Sequence, residues 1–127
     1  MMIERDTDDI RNVKPVNGKW KEFNKHGTLV CEGYFKNGQQ HGRWFEYYDS
    51  GELAIIQHYE KGQPHGHYTS YHLNGKVWSE GFHENGRCHG TFNVYNESGV
   101  LSRVMVFKEG FLLEDKEVGK KDEAVIE

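Results

Sequence analysis

The hydrophobic positions of this chain recur with a fixed period of 24 residues. Within each period the third and sixth positions are aromatic, and the twelfth is a branched aliphatic residue. The third-position series is Trp20, Trp44, Tyr68 and Phe92, and the sixth-position series is Phe23, Tyr47, Tyr71 and Tyr95. Glycine opens each period, at Gly18, Gly42, Gly66 and Gly90. A fixed period in the range of roughly 20–50 residues indicates an architecture of stacked repeats.

Each period contains two turn signals. The first ends in glycine at Gly27, Gly51, Gly75 and Gly99; the second is Asn37-Gly38, Lys61-Gly62, Asn85-Gly86 and Glu109-Gly110. Such pairs supply the positive φ that tight hairpins require. The runs between turns are rich in Tyr, Phe, Trp and Val, and none shows helical spacing. The pattern predicts an all-β fold, an elongated and twisted antiparallel meander of four 24-residue β-hairpin repeats with eight strands.

The repeats need no insertion and define the organisation of the chain. They span 18–41, 42–65, 66–89 and 90–113, between a polar N-terminal segment, 1–17, and a charged C-terminal tail, 114–127. Only 35% of the residues are hydrophobic and the mean hydropathy is −0.86, so the core is thin. Aromatic side chains bury large areas. A single-layer sheet with aromatic ladders fits this composition better than a two-layer sandwich.

Two local features stay open at this level. The two aromatics of the first strand are three residues apart and cannot share a face of a regular strand. Either a β-bulge or two partly covered faces would reconcile them. Gly33 and Gly81 recur within the second strand, where glycine marks a bulge or a close approach of packed groups.

The charge distribution and the targeting signals limit the classes of partner that we expect. Acidic and basic residues balance within the repeats, and the last fourteen residues supply most of the net charge of −4. A duplex-binding protein normally has a basic face, so we expect no nucleic-acid partner. The N-terminus lacks the layout of a signal peptide and no apolar run would span a membrane. We expect a cytoplasmic protein without a membrane partner.

The histidines and cysteines lack the spacing that a metal site or a disulfide requires. All eight histidines lie in the repeats, and His41, His65 and His89 form one series. Successive members lie two strand spacings apart, about 10 Å, which is too far for one metal ion to bridge easily. We therefore interpret them as turn residues that hydrogen-bond the neighbouring loop, and expect no metal and no cofactor. Cys31 and Cys88 lie two repeats apart, too distant for a disulfide. No catalytic motif is present, so we expect no enzyme.

The repeat sequence resembles a known family. The pattern Gly-x-Trp-x-x-Tyr-x-x-x-Gly-x-Leu is followed by Glu-Gly-x-x-x-Asn-Gly-x-x-His-Gly, best seen from Glu32 to Gly42 and from Glu80 to Gly90. It resembles the MORN-repeat superfamily over residues 18–113, in particular the bacterial variant associated with antitoxins of toxin–antitoxin systems. The resemblance implies hairpin arrays that serve as binding or scaffolding modules, and it allows an antitoxin.

The fourth repeat departs from the others in being apolar on both faces of its last strand. We predict that it binds another protein, or a second copy as a homodimer, unless the tail folds back over it. The candidate residues are Val104, Val106, Phe107, Phe111, Leu112 and Leu113, together with Tyr48 and Trp78, which fall outside the shared pattern. The predicted function is a non-enzymatic protein-binding module, possible forms being an inhibitor or antitoxin. The alternative is small-ligand or glycan binding on an aromatic face of the sheet.

Overall fold

The computed structural model describes residues 13–119 as one open antiparallel sheet in which the strands of the main path pair in chain order. The strands are β1 (Gly18–Phe23), β2 (Leu29–Lys36), β3 (Gln39–Tyr47), β4 (Leu53–Glu60), β5 (Gln63–Tyr71), β6 (Val77–Glu84), β7 (Arg87–Cys88), β8 (Gly90–Tyr95), β9 (Leu101–Lys108) and β10 (Phe111–Glu117). The predicted all-β meander of hairpins is confirmed. Across residues 13–119, no helix is long and apolar enough for a membrane crossing.

The second turn of each repeat is a two-residue hairpin loop. Its first residue is Asn37, Lys61, Asn85 or Glu109, each with φ near 50°, and a glycine with positive φ follows. That backbone matches the twist of the paired strands. The same glycines tie the repeats together, because Gly62 N–H donates to the Gln40 carbonyl at 3.1 Å and Gly86 N–H to the Pro64 carbonyl at 2.8 Å. The second turns of repeats two to four therefore each contact the preceding repeat, and that of the first repeat contacts Val16.

The sixth-position aromatics show both arrangements that the sequence left open, a β-bulge and the use of two faces of the sheet. The strand register shifts at each of them, between Glu46 and Tyr47 for example. The third and sixth positions nevertheless use opposite faces, since Trp44 packs against Phe35 whereas the Tyr47 hydroxyl reaches Glu32. We call the side that carries Trp44 the aromatic face.

The aromatic face is a ladder of rings in edge-to-face contact. Its first part runs Trp20–Phe35–Trp44–Tyr59, with ring centroids 6.2, 5.3 and 5.9 Å apart. Its second part runs Tyr68–His83–Phe92–Phe107, with centroids 5.4, 5.9 and 5.4 Å apart. Trp20, Phe35, Trp44 and Phe92 are buried. Cross-strand packing of these rings is thus the core of a sheet that has one layer.

Gly33 and Gly81 provide the space for this ladder. A Cβ atom at Gly33 would lie 2.1 Å from the Trp44 ring, and one at Gly81 would lie 2.4 Å from the Phe92 ring. Both interpretations apply at Gly33, because the β2–β3 register also shifts between Glu32 and Tyr34. Neither glycine has the positive φ of a turn. In the second repeat Gln57 holds the equivalent position.

The C-terminal part of the sheet differs from the sequence prediction. Ten strands replace the predicted eight. One added strand is β7, which is separate from β8 at His89 where the equivalent strands β3 and β5 are continuous. The other is β10, which continues past the boundary predicted at Leu113 to Glu117. The first residues of the predicted tail therefore extend the sheet. The physical reason lies in β9, where Arg103 contacts Asp115 at 2.5 Å and Glu117 at 3.1 Å across the strand pair.

Candidate binding surfaces

The predicted site residues separate into a covered strand and an exposed strand. Val104, Val106 and Phe107 lie in β9, which pairs with β8 on one side and β10 on the other, and all three are half-buried. The open edge predicted for this strand is therefore occupied by β10.

Phe111, Leu112 and Leu113 are exposed to 70, 51 and 62%. We call these three residues the β10 apolar row. Over residues 13–119, β10 pairs with β9 alone, so its other edge offers unpaired backbone groups.

One residue of the β10 apolar row, Leu112, joins the aromatic face. Leu112 lies opposite Phe107, and Phe107 is the last ring of the ladder, 5.4 Å from Phe92. The register shifts between Leu112 and Glu114, so Leu113 sits at a bulge. Charged side chains follow at once, from Glu114 to Glu117. The edge strand is thus apolar in its first half and charged in its second half.

Tyr48 and Trp78 lie away from this edge. Trp78 is 47% exposed, whereas Tyr48 is half-buried. Its hydroxyl donates to the Tyr71 carbonyl at 2.5 Å. Both side chains line a groove, the kind of surface that the alternative of small-ligand binding on an aromatic face requires.

The groove lies on the aromatic face over repeats two to four and has a volume of about 620 Å³. Its lining includes Tyr48, Tyr68, Trp78, Phe92, Met105 and Phe107. Ser70 and Ser79 also line it and hydrogen-bond each other at 2.6 Å. The only signal in the sequence is the small size of these two serines, and their pairing across β5 and β6 becomes visible only in the structure.

The histidine series lies at the hairpin turns. Nδ1 of His65 accepts a hydrogen bond from the Asn85 N–H, and Nδ1 of His89 accepts one from the Glu109 N–H, both at 3.3 Å. Their Nε2 atoms lie near carboxylates, 4.0 Å from Glu60 and 3.6 Å from Glu84. For His65 and His89 this is the interpretation made from the sequence. Residues 13–119 contain no group of three or more His, Cys, Asp or Glu side chains suited to a metal ion.

The environments of the two cysteines, Cys31 and Cys88, favour the neutral thiol. Burial, with the nearby carboxylates of Glu46, Glu22 and Glu32, raises the pKa of the Cys31 thiol to about 11. Burial also raises the pKa of Cys88, whose sulfur lies 3.8 Å from His83 Nε2. The reactive form of cysteine is the thiolate, so neither environment activates its thiol. Both cysteines are free.

Comparisons with known proteins identify the repeat. The sequence model of the family described as MORN repeat variant matches residues 16–37, 40–61 and 64–86, together more than half of the chain. No curated protein matches the chain. A chain in the crystal structure of TarM aligns with 91% of this chain at 10% identity and a TM-score of 0.50, which shows a shared fold.

A second solved structure has a higher sequence identity but a lower TM-score. It is the crystal structure of accessory secretory proteins 1, 2 and 3 in Streptococcus pneumoniae. One of its chains aligns with 80% of this chain at 24% identity and a TM-score of 0.44. The present chain spans 23% of the TarM chain and 19% of this second chain.

Proposed function

The chain belongs to the family of MORN repeat variants, and from that premise we propose that it is a non-enzymatic module that binds another protein through the outer edge of β10. MORN repeats are commonly protein- or membrane-binding modules. The proposed partner adds an extended segment to the edge of the sheet, as in β-augmentation. An inhibitor or antitoxin that acts on a cytoplasmic target is the specific form we propose for this activity.

The observation that carries the proposal is the exposure of the β10 apolar row on a strand paired on one side. Edge strands that face water are normally protected by charges, proline or short length. Here Phe111, Leu112 and Leu113 are all more than half exposed and adjacent. Apolar surface removed from water contributes roughly 25 cal/mol per Å², so covering these three side chains favours association.

The polarity of β10 favours a different protein over a second copy. A two-fold homodimer would pair β10 with itself in the antiparallel direction. Centred on Glu114, such a pairing sets Phe111 against Glu117 and one Glu114 against the other. If the pairing is centred on Leu112 instead, the apolar row of one copy pairs with that of the other, and the charged half of β10 stays outside this apolar contact. A foreign segment can instead match the apolar half with apolar residues and the charged half with polar ones.

Site-specific photo-crosslinking in the native lysate tests the proposal. A benzophenone amino acid replaces Phe111 in one variant and Phe23 in the control. Phe23 is a matched control because it is also an exposed aromatic residue, at 55%, on the strand at the opposite end of the sheet. We expect one protein adduct at position 111 and none at position 23. Equal labelling at both positions, or an adduct only with a second copy of the chain, would overturn the proposal.

A further inference from the structure

The groove on the aromatic face arises from one departure from the repeat. The fifth and fourteenth residues of each repeat face each other across two strands, as the pairs Glu22–Cys31, Glu46–Ile55, Ser70–Ser79 and Val94–Arg103. In the third repeat alone are both partners small. The other pairs place at least one large side chain at this site, so the two serines leave the floor of the groove low.

Trp78 and Tyr48 form two aromatic walls of the groove, at the end that lies near the first turns of the repeats. Contacts with other residues fix both side chains. Trp78 stacks on His72 with ring centroids 5.2 Å apart and an interplanar angle of 18°. His72 is held in turn, because its Nε2 lies 2.8 Å from the Tyr95 carbonyl oxygen. Tyr48 is held by its hydrogen bond to the Tyr71 carbonyl. Walls held in this way lose little conformational entropy when a ligand binds between them.

The lining carries no charge at neutral pH. Within the described residues no Asp, Glu, Lys or Arg side chain lines the groove, in a chain with 28% charged residues. His83 lines it, and burial lowers the pKa of this imidazole. By contrast, a smaller pocket on the N-terminal part of the same face is lined by Lys14 and Glu22.

The polar groups of the groove are few and partly engaged. Ser70 and Ser79 hydrogen-bond each other, and the Tyr48 hydroxyl bonds the Tyr71 carbonyl. The Gln57 amide, the Tyr68 hydroxyl and the His83 imidazole are the other polar side-chain groups of the lining, apart from the Cys88 thiol. A predominantly apolar lining suits a ring system better than a glycan, whose many hydroxyl groups each need a hydrogen-bond partner. Ring faces, in contrast, are plentiful. A volume of about 620 Å³ lies within the range of small-molecule sites, roughly 300–1,000 Å³.

We propose that this groove is a binding site for a small, uncharged molecule with a flat aromatic ring system. The ring inserts over the Ser70–Ser79 floor, between the Trp78 and Tyr48 side chains, and the apolar residues of β8 and β9 close the far side. This site is separate from the outer edge of β10, so each can exist without the other.

A neutral fluorescent probe tests the proposal. N-phenyl-1-naphthylamine is an uncharged aromatic molecule whose emission rises in an apolar site, and we expect saturable binding of one probe per chain. The variant Ser70→Val with Ser79→Ile fills the floor with residues that the chain uses at the equivalent positions, Val94 and Ile55. It removes both hydroxyls together, so neither stays unpaired. We expect its Kd to rise by at least about tenfold.

Two further measurements separate the groove from general apolar adsorption. Trp78→Ala removes an exposed wall and is expected to weaken binding by about tenfold without unfolding the chain, whereas Phe111→Ser, outside the groove, leaves the Kd unchanged. The anionic analogue 1-anilinonaphthalene-8-sulfonate is expected to bind less tightly than the neutral probe. Absence of saturable binding, unchanged affinity in the filled variant, loss of binding in Phe111→Ser, or preference for the anionic probe would each overturn the proposal.

Discussion

The Tyr47 hydroxyl donates a 2.6 Å hydrogen bond to Glu32 Oε2 on the neighbouring strand. Two repeats later Tyr95 makes the same 2.6 Å bond to Glu80. Between them Tyr71 has no such partner, because Ile56 holds the position of the glutamate. The sixth-position aromatics therefore join repeats through the face opposite the ladder, with the bond present in two of these three junctions.

The Tyr47–Glu32 bond predicts a loss of stability in alkali. Burial, the hydrogen bond to Glu32 and the negative charge of Glu32 raise the pKa of Tyr47 to about 12. The folded pKa lies above the unfolded value of about 10, so this contribution is present below about pH 10 and is lost as the pH rises through about 12. Urea unfolding of Tyr47→Phe should show a weaker alkaline loss than the wild type. Tyr71→Phe, which breaks no bond to a carboxylate, should retain the wild-type profile.

Gly33→Ala is expected to destabilise the sheet by about 1–3 kcal/mol, because its new methyl group would overlap the Trp44 ring. The ring then has to leave its contacts with Phe35 and Tyr59. Chemical denaturation measures the change. Gln57→Ala at the equivalent position is the matched control and should cost less than half as much. Equal losses in the two variants would show that the space above Gly33 is not the reason for the glycine.

His83→Phe is expected to increase stability, and more at about pH 5 than at about pH 8. His83 occupies the ladder position that Phe35, Tyr59 and Phe107 hold in the other repeats. Burial lowers its pKa, so its contribution is present above the unfolded value of about 6.5 and is lost as the pH falls towards the folded pKa. Thermal unfolding at the two pH values measures the difference. A gain that is the same at both values would contradict the assignment.

Cys31 is expected to react slowly with iodoacetamide at about pH 8, because its pKa is raised to about 11 and little thiolate is present. Glu46→Gln removes a carboxylate that raises this pKa and should speed alkylation of Cys31. Cys88 serves as the internal control, since no carboxylate contributes to its raised pKa. Peptide mass spectrometry separates the two rates. Unchanged Cys31 alkylation in Glu46→Gln would contradict the electrostatic part of this account.

The sequence predicted the hairpins well because glycine at Asn37-Gly38 and its counterparts has a local cause, the positive φ of a two-residue turn. The groove had no such local signal. It depends on Ser70 facing Ser79 across two strands, and this relation follows from the register and not from either residue alone. The end of the sheet was misplaced for a similar reason. The charges from Glu114 onward resemble a solvated tail, and the pairing of Asp115 and Glu117 with Arg103 on the neighbouring strand becomes visible only in the structure.

The most direct test of the central claim is the recovery of the protein that crosslinks at position 111. The variant Leu112→Lys with Leu113→Lys places two charges in the β10 apolar row, and Leu73→Lys is the matched control. Leu73 and Leu113 are equally exposed, at 62%, but Leu73 lies in a first turn, away from the edge. If the β10 edge is the docking surface, the double variant keeps its melting temperature, and the amount of partner recovered with it falls at least about tenfold. The amount recovered with Leu73→Lys stays at the wild-type level. Full recovery by the double variant would contradict the account.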